Sequence, residues 1–78
     1  MASASTLETI RVGIIGCGGI AHGKHLPSLK KIAGVEMVAF CDLIEERAET
    51  AARDYGVPQA KTYVDYRELL LDSSIDVV

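Results

Sequence analysis

The sequence has no tryptophan and one phenylalanine, and aromatic residues make up only 5% of it. Too few rings are present for the stacking platforms that hold single-stranded nucleic acid. The net charge is −3 and the basic residues form no stripe, so no nucleic-acid partner is expected. No apolar run approaches the roughly 18 residues of a membrane span, so no membrane association is expected. The two cysteines, Cys17 and Cys41, have neither metal-ligand spacing nor a C-x-x-C pattern. Cys41 ends an apolar run and reads as a buried free thiol, which suggests a reducing, cytoplasmic setting. The head, Met1 to Thr6, lacks the basic start and apolar block of a secretory leader. Residues 1–9 are read as a flexible tail.

The 78 residues have room for one small domain, and the 49% hydrophobic and 24% charged content is that of a globular chain. The last residues, Ser73 to Val78, resemble the start of a strand cut short. An unpaired apolar strand end invites association, so a piece of a longer protein is expected.

An apolar, largely β-branched run predicts a first strand over Ile10 to Ile15, covered on both faces as in a central parallel strand. A helix is predicted from about Gly19, broken near His25-Leu26-Pro27 because proline lacks a donor and crowds the preceding turn. A second piece is expected over Ser28 to Ile32, with Gly34 as its stop. The second strand is Val35 to Cys41. The next helix, about Ile44 to Tyr55, buries the stripe Ala48, Ala51, Ala52 and Tyr55, and Gly56 is expected to end it in the left-handed conformation. A short extended piece over Ala60 to Val64 leads to Asp65, which can cap a small helix, Tyr66 to Leu71. A third strand is expected from about Ile75. The order β-α-β-α-β implies an α/β fold, the first half of a doubly wound parallel Rossmann sheet, occupying residues 10–78.

Gly16, Gly18 and Ala21 stand at the spacing G-x-G-x-x-A between the first strand and its helix. In a dinucleotide fold the first glycine makes the sharp turn and the second admits the pyrophosphate to the backbone. The third small residue lets the helix pack on the strand, and its free N–H groups hold an anion. An ordinary strand-to-helix turn has similar glycines, so the turn alone decides little. Asp42 lies about 20 residues beyond Ala21 and directly follows the second strand, as does the acid that receives the adenosine ribose hydroxyls. Its other reading is a helix N-cap. The combination of strand, glycine turn, helix, strand and acid favours dinucleotide binding. The cofactor-binding candidates are Gly16, Cys17, Gly18, Gly19, Ile20, Ala21, Asp42 and Leu43. Asp42 would repel a 2′-phosphate and no arginine directly follows it, which favours NAD over NADP. Arg47 reads as an exposed helix residue paired with an acidic neighbour. His22 and His25 share a helix face, yet nothing completes a metal set. Cys17 has no base to make it a nucleophile. No catalytic and no metal-binding residue is assigned.

The chain resembles the N-terminal domain of the Gfo/Idh/MocA oxidoreductases. The similarity runs through Val12 to Ala21, His25-Leu26-Pro27-Ser28-Leu29, Val38 to Asp42 and Glu46-Arg47-Ala48. It continues through Tyr66-Arg67-Glu68-Leu69-Leu70 and Ile75-Asp76-Val77-Val78. Gly16, Gly18, Ala21 and Asp42 match the family's cofactor positions, and Cys17, Gly19 and Ile20 its pyrophosphate turn. The resemblance implies a two-domain enzyme whose C-terminal α/β domain shapes the substrate site. Such an enzyme moves hydride between NAD or NADP and a sugar, cyclitol or related small molecule, often as a homo-oligomer. The family's E-K-P motif and the acid–base residues of its second domain have no counterpart in residues 1–78, so this stretch alone is expected to be inactive. Two alternatives remain at this point: a nucleotide-binding module without turnover, and a half-domain that pairs with itself over the open edge of the first strand.

Overall fold

The structure, a computed structural model, describes residues 9–78 apart from Ile20, and only the backbone of His22. The expected tail up to residue 8, Ile20 of the glycine turn and the His22 side chain lie outside the described residues. Three strands, β1 (Ile10–Ile15), β2 (Val35–Cys41) and β3 (Lys61–Tyr63), form one parallel sheet in the order β1-β2-β3. Parallel neighbours need crossovers, and helices provide them. A single π-helical turn, Ala21–His25, leads into α1 (Leu26–Lys30) between β1 and β2. The helix α2 (Glu45–Tyr55) joins β2 to β3, and α3 (Tyr66–Leu70) follows β3.

The third strand differs from the sequence expectation. Lys61–Tyr63, read as a mere extended piece, is β3 and pairs with β2. The segment expected to be the third strand instead crosses to the far side of β1, where Val77 bridges Val12 in parallel. The Gly13 N–H donates to the Val77 carbonyl at 2.8 Å, and the Asp76 N–H to the Arg11 carbonyl at 2.7 Å. The Asp76 carboxylate also accepts from the Arg11 amide at 2.8 Å and its guanidinium at 3.2 Å. The strand sequence around β1 therefore reverses direction, and such a switch point is where open α/β sheets bind ligands. The β1 edge invoked for self-pairing is already engaged at Arg11 and Gly13 by this chain's own residues.

Helices cover both faces of the sheet. On one face Leu26, Met37, Phe40, Ala48 and Ala51 are buried together with Cys17. On the other, Ala39 and Cys41 pack with Leu69 of α3. Met37 and Phe40 share a face although three residues apart, which a regular period of two forbids. The register explains it: Val12 pairs with Met37 and Gly13 with Ala39, so Val38 is an extra residue in β2. This bulge reverses the facing of all that follows, including Cys41.

Local chemistry sets the ends of the helices. Pro27 sits in the first turn of α1, where its missing N–H costs nothing, and the residues before it form the π turn. The helix stops at Lys30, earlier than expected, which leaves Ile32 exposed. Gly34 has φ +85° and reverses the chain into β2. Asp65 caps α3, its carboxylate accepting from the Arg67 N–H at 2.9 Å. Gly56 is not left-handed: it is extended, with φ −80° and ψ 167°. It is glycine for want of space, since a Cβ there would stand 2.7 Å from the Ala52 carbonyl oxygen, 2.7 Å from the Phe40 ring and 2.8 Å from Ala60.

Candidate functional site: the glycine turn and the carboxylate beyond the second strand

The carboxyl ends of β1 and β2 lie side by side, with Ile15 paired to Cys41. The glycine turn leaves one strand and Asp42 the other at the same level. Gly16 takes φ +90°, a conformation L side chains avoid, and a Cβ there would meet nothing within 4 Å. The conformation and not a clash requires glycine at this position. The Gly16 N–H donates to the Cys41 carbonyl at 2.8 Å, which locks the start of the turn to the end of β2. At Gly19 a Cβ would also enter open space, and at Gly18 it would meet only the tip of the Arg47 side chain, at 3.7 Å. Ala21 packs partly buried against the apolar cluster beneath.

Asp42 turns its side chain toward this bend. Its Oδ2 accepts from the Cys17 N–H at 2.9 Å and its Oδ1 from the Ile44 N–H at 2.8 Å. The Ile44 and Cys17 amides, with the positive charge of Arg47 behind them, hold the carboxyl below its usual range, and it is ionised at neutral pH. Asp42 is not the N-cap of α2: that position belongs to Ile44, which makes no side-chain cap bond. Cys17 is 3% exposed, and its thiol donates to the Cys41 carbonyl at 3.4 Å. Burial, with the Asp42 charge second, pushes the thiol up to about 11, so it stays protonated and inert.

Two hollows flank the turn. One, of about 370 Å³, is lined by Ile15, Cys41, Asp42, Leu43, Val64 and Tyr66. Its rim is unusually apolar for a surface, with Leu43 86% and Tyr66 53% exposed. The other, of about 300 Å³, lies between the glycine turn and α2 and is lined by Cys17, Gly18, Gly19, Glu46, Arg47 and Thr50.

The structure thus brings Gly16, Cys17, Gly18, Gly19, Asp42 and Leu43 to one end of the sheet. Three contributors were not read from the sequence. Val64 and Tyr66 belong to the apolar hollow because Lys61–Tyr63 is a sheet strand, and its two exposed polar residues hid it. Arg47 is the third. The sequence suggests an acidic neighbour as its partner, yet it has no ion pair among the described residues and lines the hollow beside the turn. Its place one turn into the helix that follows Asp42 was the available signal. His25 is exposed. Among the described residues no group of three His, Cys, Asp or Glu side chains gathers to hold a metal. None of their helices is long and apolar enough to cross a membrane.

The chain's residues 10–78 match the oxidoreductase family with an NAD-binding Rossmann fold, Gfo/Idh/MocA. The inositol 2-dehydrogenase of Salmonella typhimurium is 41% identical over 71 residues, covering 90% of this chain and 20% of that protein. Among solved structures, the myo-inositol dehydrogenase of Lactobacillus casei, in complex with NAD(H) and myo-inositol, superposes with a TM-score of 0.76 at 39% identity. The match covers 90% of this chain and 21% of that one. A 3-ketoreductase of Actinomadura kijaniata, in complex with NADP and TDP-benzene, superposes with a TM-score of 0.78 at 30% identity, over 90% of this chain and 21% of that one. This chain spans about 20% of the length of the curated relatives it matches.

Proposed function

We propose, for a chain that belongs to the Gfo/Idh/MocA oxidoreductases with their NAD-binding Rossmann fold, that residues 10–78 grip the adenosine diphosphate half of a nicotinamide dinucleotide. The single observation that carries this reading is the Asp42 carboxylate bonded to the Cys17 amide inside the glycine turn. It sets an acceptor for ribose hydroxyls beside backbone open to a diphosphate. The donor set suits the group. An ionised carboxylate has about four lone-pair sites, and two remain after Cys17 and Ile44 are served.

In this reading Gly16, Cys17, Gly18, Gly19, Ile20 and Ala21 form the diphosphate turn. Asp42 receives the ribose, and Leu43 with Tyr66 shelters the adenine in the apolar hollow. The assignment of Ile20 rests on the sequence. Asp42 favours NAD over NADP, because a 2′-phosphate would meet a fixed negative charge. Relatives with NAD(H) and with NADP are both known, so the preference is a property to be measured.

The bound nicotinamide would supply hydride chemistry. The residues of this chain bind and orient: the glycine backbone donates to phosphate oxygens and the carboxylate accepts from hydroxyls. No catalytic residue is assigned among them. The whole protein is proposed to oxidise or reduce a sugar, cyclitol or related small molecule in the cytoplasm as a homo-oligomer, with a further domain supplying the substrate site.

Titrating the isotopically labelled chain with ADP, NAD and NADP tests the reading. The amides of residues 16–21 and of Asp42 should shift with ADP and NAD. Shifts confined elsewhere, or none at millimolar ligand, defeat it. In Asp42→Ala the ratio of NAD to NADP affinity should fall several-fold. An unchanged ratio removes Asp42 from the ribose.

A further inference from the structure

Asp42 does more in this fold than face a groove. Of its two hydrogen bonds, the one to Ile44 is local, spanning two residues, whereas the one to Cys17 joins positions 25 apart in sequence. A side chain that only met a ribose would need no bond into the turn.

We propose that Asp42 is a positioning residue for the glycine turn: its carboxylate selects the orientation of the Gly16–Cys17 peptide and, through it, where the following Gly18 and Gly19 amides point. What those amides grip rests on the dinucleotide reading; the hold on the turn does not.

The turn has little else to fix that peptide. No neighbouring atom would lie within 4 Å of a Cβ at Gly16 or Gly19, so side-chain packing does not restrain the backbone there. The Gly16 amide and the Cys17 thiol both bond the Cys41 carbonyl, at 2.8 and 3.4 Å. These anchor the peptide before Gly16 and the side chain after it. Between them Gly16 populates either sign of φ at little cost, so the intervening peptide plane is free to turn. A charged acceptor on the Cys17 N–H picks one plane, and such charge-assisted bonds are roughly twice as strong as neutral ones.

The sign of one measurement separates this from simple electrostatics. A carboxylate beside a diphosphate repels it, so if charge alone matters, Asp42→Ala binds inorganic pyrophosphate more tightly. If the carboxylate shapes the turn, Asp42→Ala binds it more weakly, because the amides lose their common aim.

The test uses amide hydrogen exchange and pyrophosphate titration on the same chain. In the native chain the Cys17 amide should exchange at least about tenfold more slowly than an unstructured peptide. In Asp42→Ala that protection should vanish while the β2 amides keep theirs, and pyrophosphate affinity should drop about tenfold. Free exchange at Cys17 in the native chain, protection unaltered in Asp42→Ala, or a gain in pyrophosphate affinity each overturns the proposal. Should Asp42→Ala fail to fold, Asp42→Leu keeps the size, offers no acceptor and should lose the protection; unaltered protection there overturns the proposal equally. If Cys17 responds as expected but the native chain binds neither pyrophosphate nor ADP, the hold on the turn stands and the dinucleotide reading falls.

Discussion

Arg47 extends its guanidinium across the bare backbone of Gly18, with one terminal nitrogen 3.7 Å from where a Cβ would project. The residue comes from α2 and the glycine from the turn after β1, so the contact spans the hollow between them. It places a positive charge beside the proposed diphosphate turn and helps to keep Asp42 ionised.

Reversing that charge should weaken anion binding. Arg47→Glu is expected to lower ADP affinity roughly threefold to tenfold, with a smaller loss at high salt where the charge is screened. Arg47→Lys, which keeps the charge, should lose less. Calorimetric titration at two salt concentrations checks this, and equal affinity in all three chains would remove Arg47 from the site.

Two glycines should fail for different reasons. At Gly56 a new methyl meets the Ala52 carbonyl and the Phe40 ring, both held in the core, so Gly56→Ala should cost about 1–3 kcal/mol by overpacking. At Gly16 there is space but φ is +90°, and Gly16→Ala should cost about 1–2 kcal/mol through backbone strain. Urea unfolding measures both. Only Gly16→Ala should also disturb ADP binding.

The Tyr63 hydroxyl donates to Asp72 at 2.7 Å, and Ser74 donates to the same carboxylate at 2.6 Å from its hydroxyl and 2.9 Å from its amide. The Ser74 hydroxyl and then the Tyr63 hydroxyl hold Asp72 well below the ordinary carboxylate range, and the same bond raises Tyr63. A lowered carboxyl contributes stability that is whole above its unfolded value near ~4 and is lost as pH falls toward the folded value. A raised phenol contributes stability that is whole below its unfolded value near ~10 and is lost as pH climbs past it. Tyr63→Phe should therefore be less stable than the native chain by a constant margin from about pH 5 to 9, narrowing on either side. Unfolding curves across pH read the margin. A margin of constant width at every pH would mean that the bond carries none of it.

Cys17 should be slow to react despite its place in the turn. Its thiol is buried and raised to about 11, so iodoacetamide at pH 7.5 should modify it far more slowly than a free cysteine, with the rate climbing only as pH approaches that value. Fast alkylation at neutral pH would show a thiolate there and reopen a nucleophilic role.

Much of the arrangement is legible in the sequence. The β-branched run of β1, the alanine stripe of α2 and the capping of α3 by Asp65 all rest on neighbours within a turn or two. Their periodicity survives folding. Pro27 announced a break, and the break is there as a π turn passing into α1. Gly56 does stop α2, as the sequence leads one to expect, but for another cause, because crowding by Phe40 and Ala60 comes from distant parts of the chain.

The sequence by itself determined the elements along one line: a strand, a glycine bend, a helix, a second strand, and an acid at its end. These follow from backbone sterics and short-range periodicity, which a residue carries wherever the chain goes. Only the tertiary structure decided that Lys61–Tyr63 joins the sheet and that Val77 crosses to the other side of β1. It alone turned β2 over at Val38, swung Arg47 to Gly18 and tied Asp42 to the Cys17 amide. Each of these is a choice between partners far apart in the chain. Burial and backbone pairing settle such choices together, and neither is written in any single stretch.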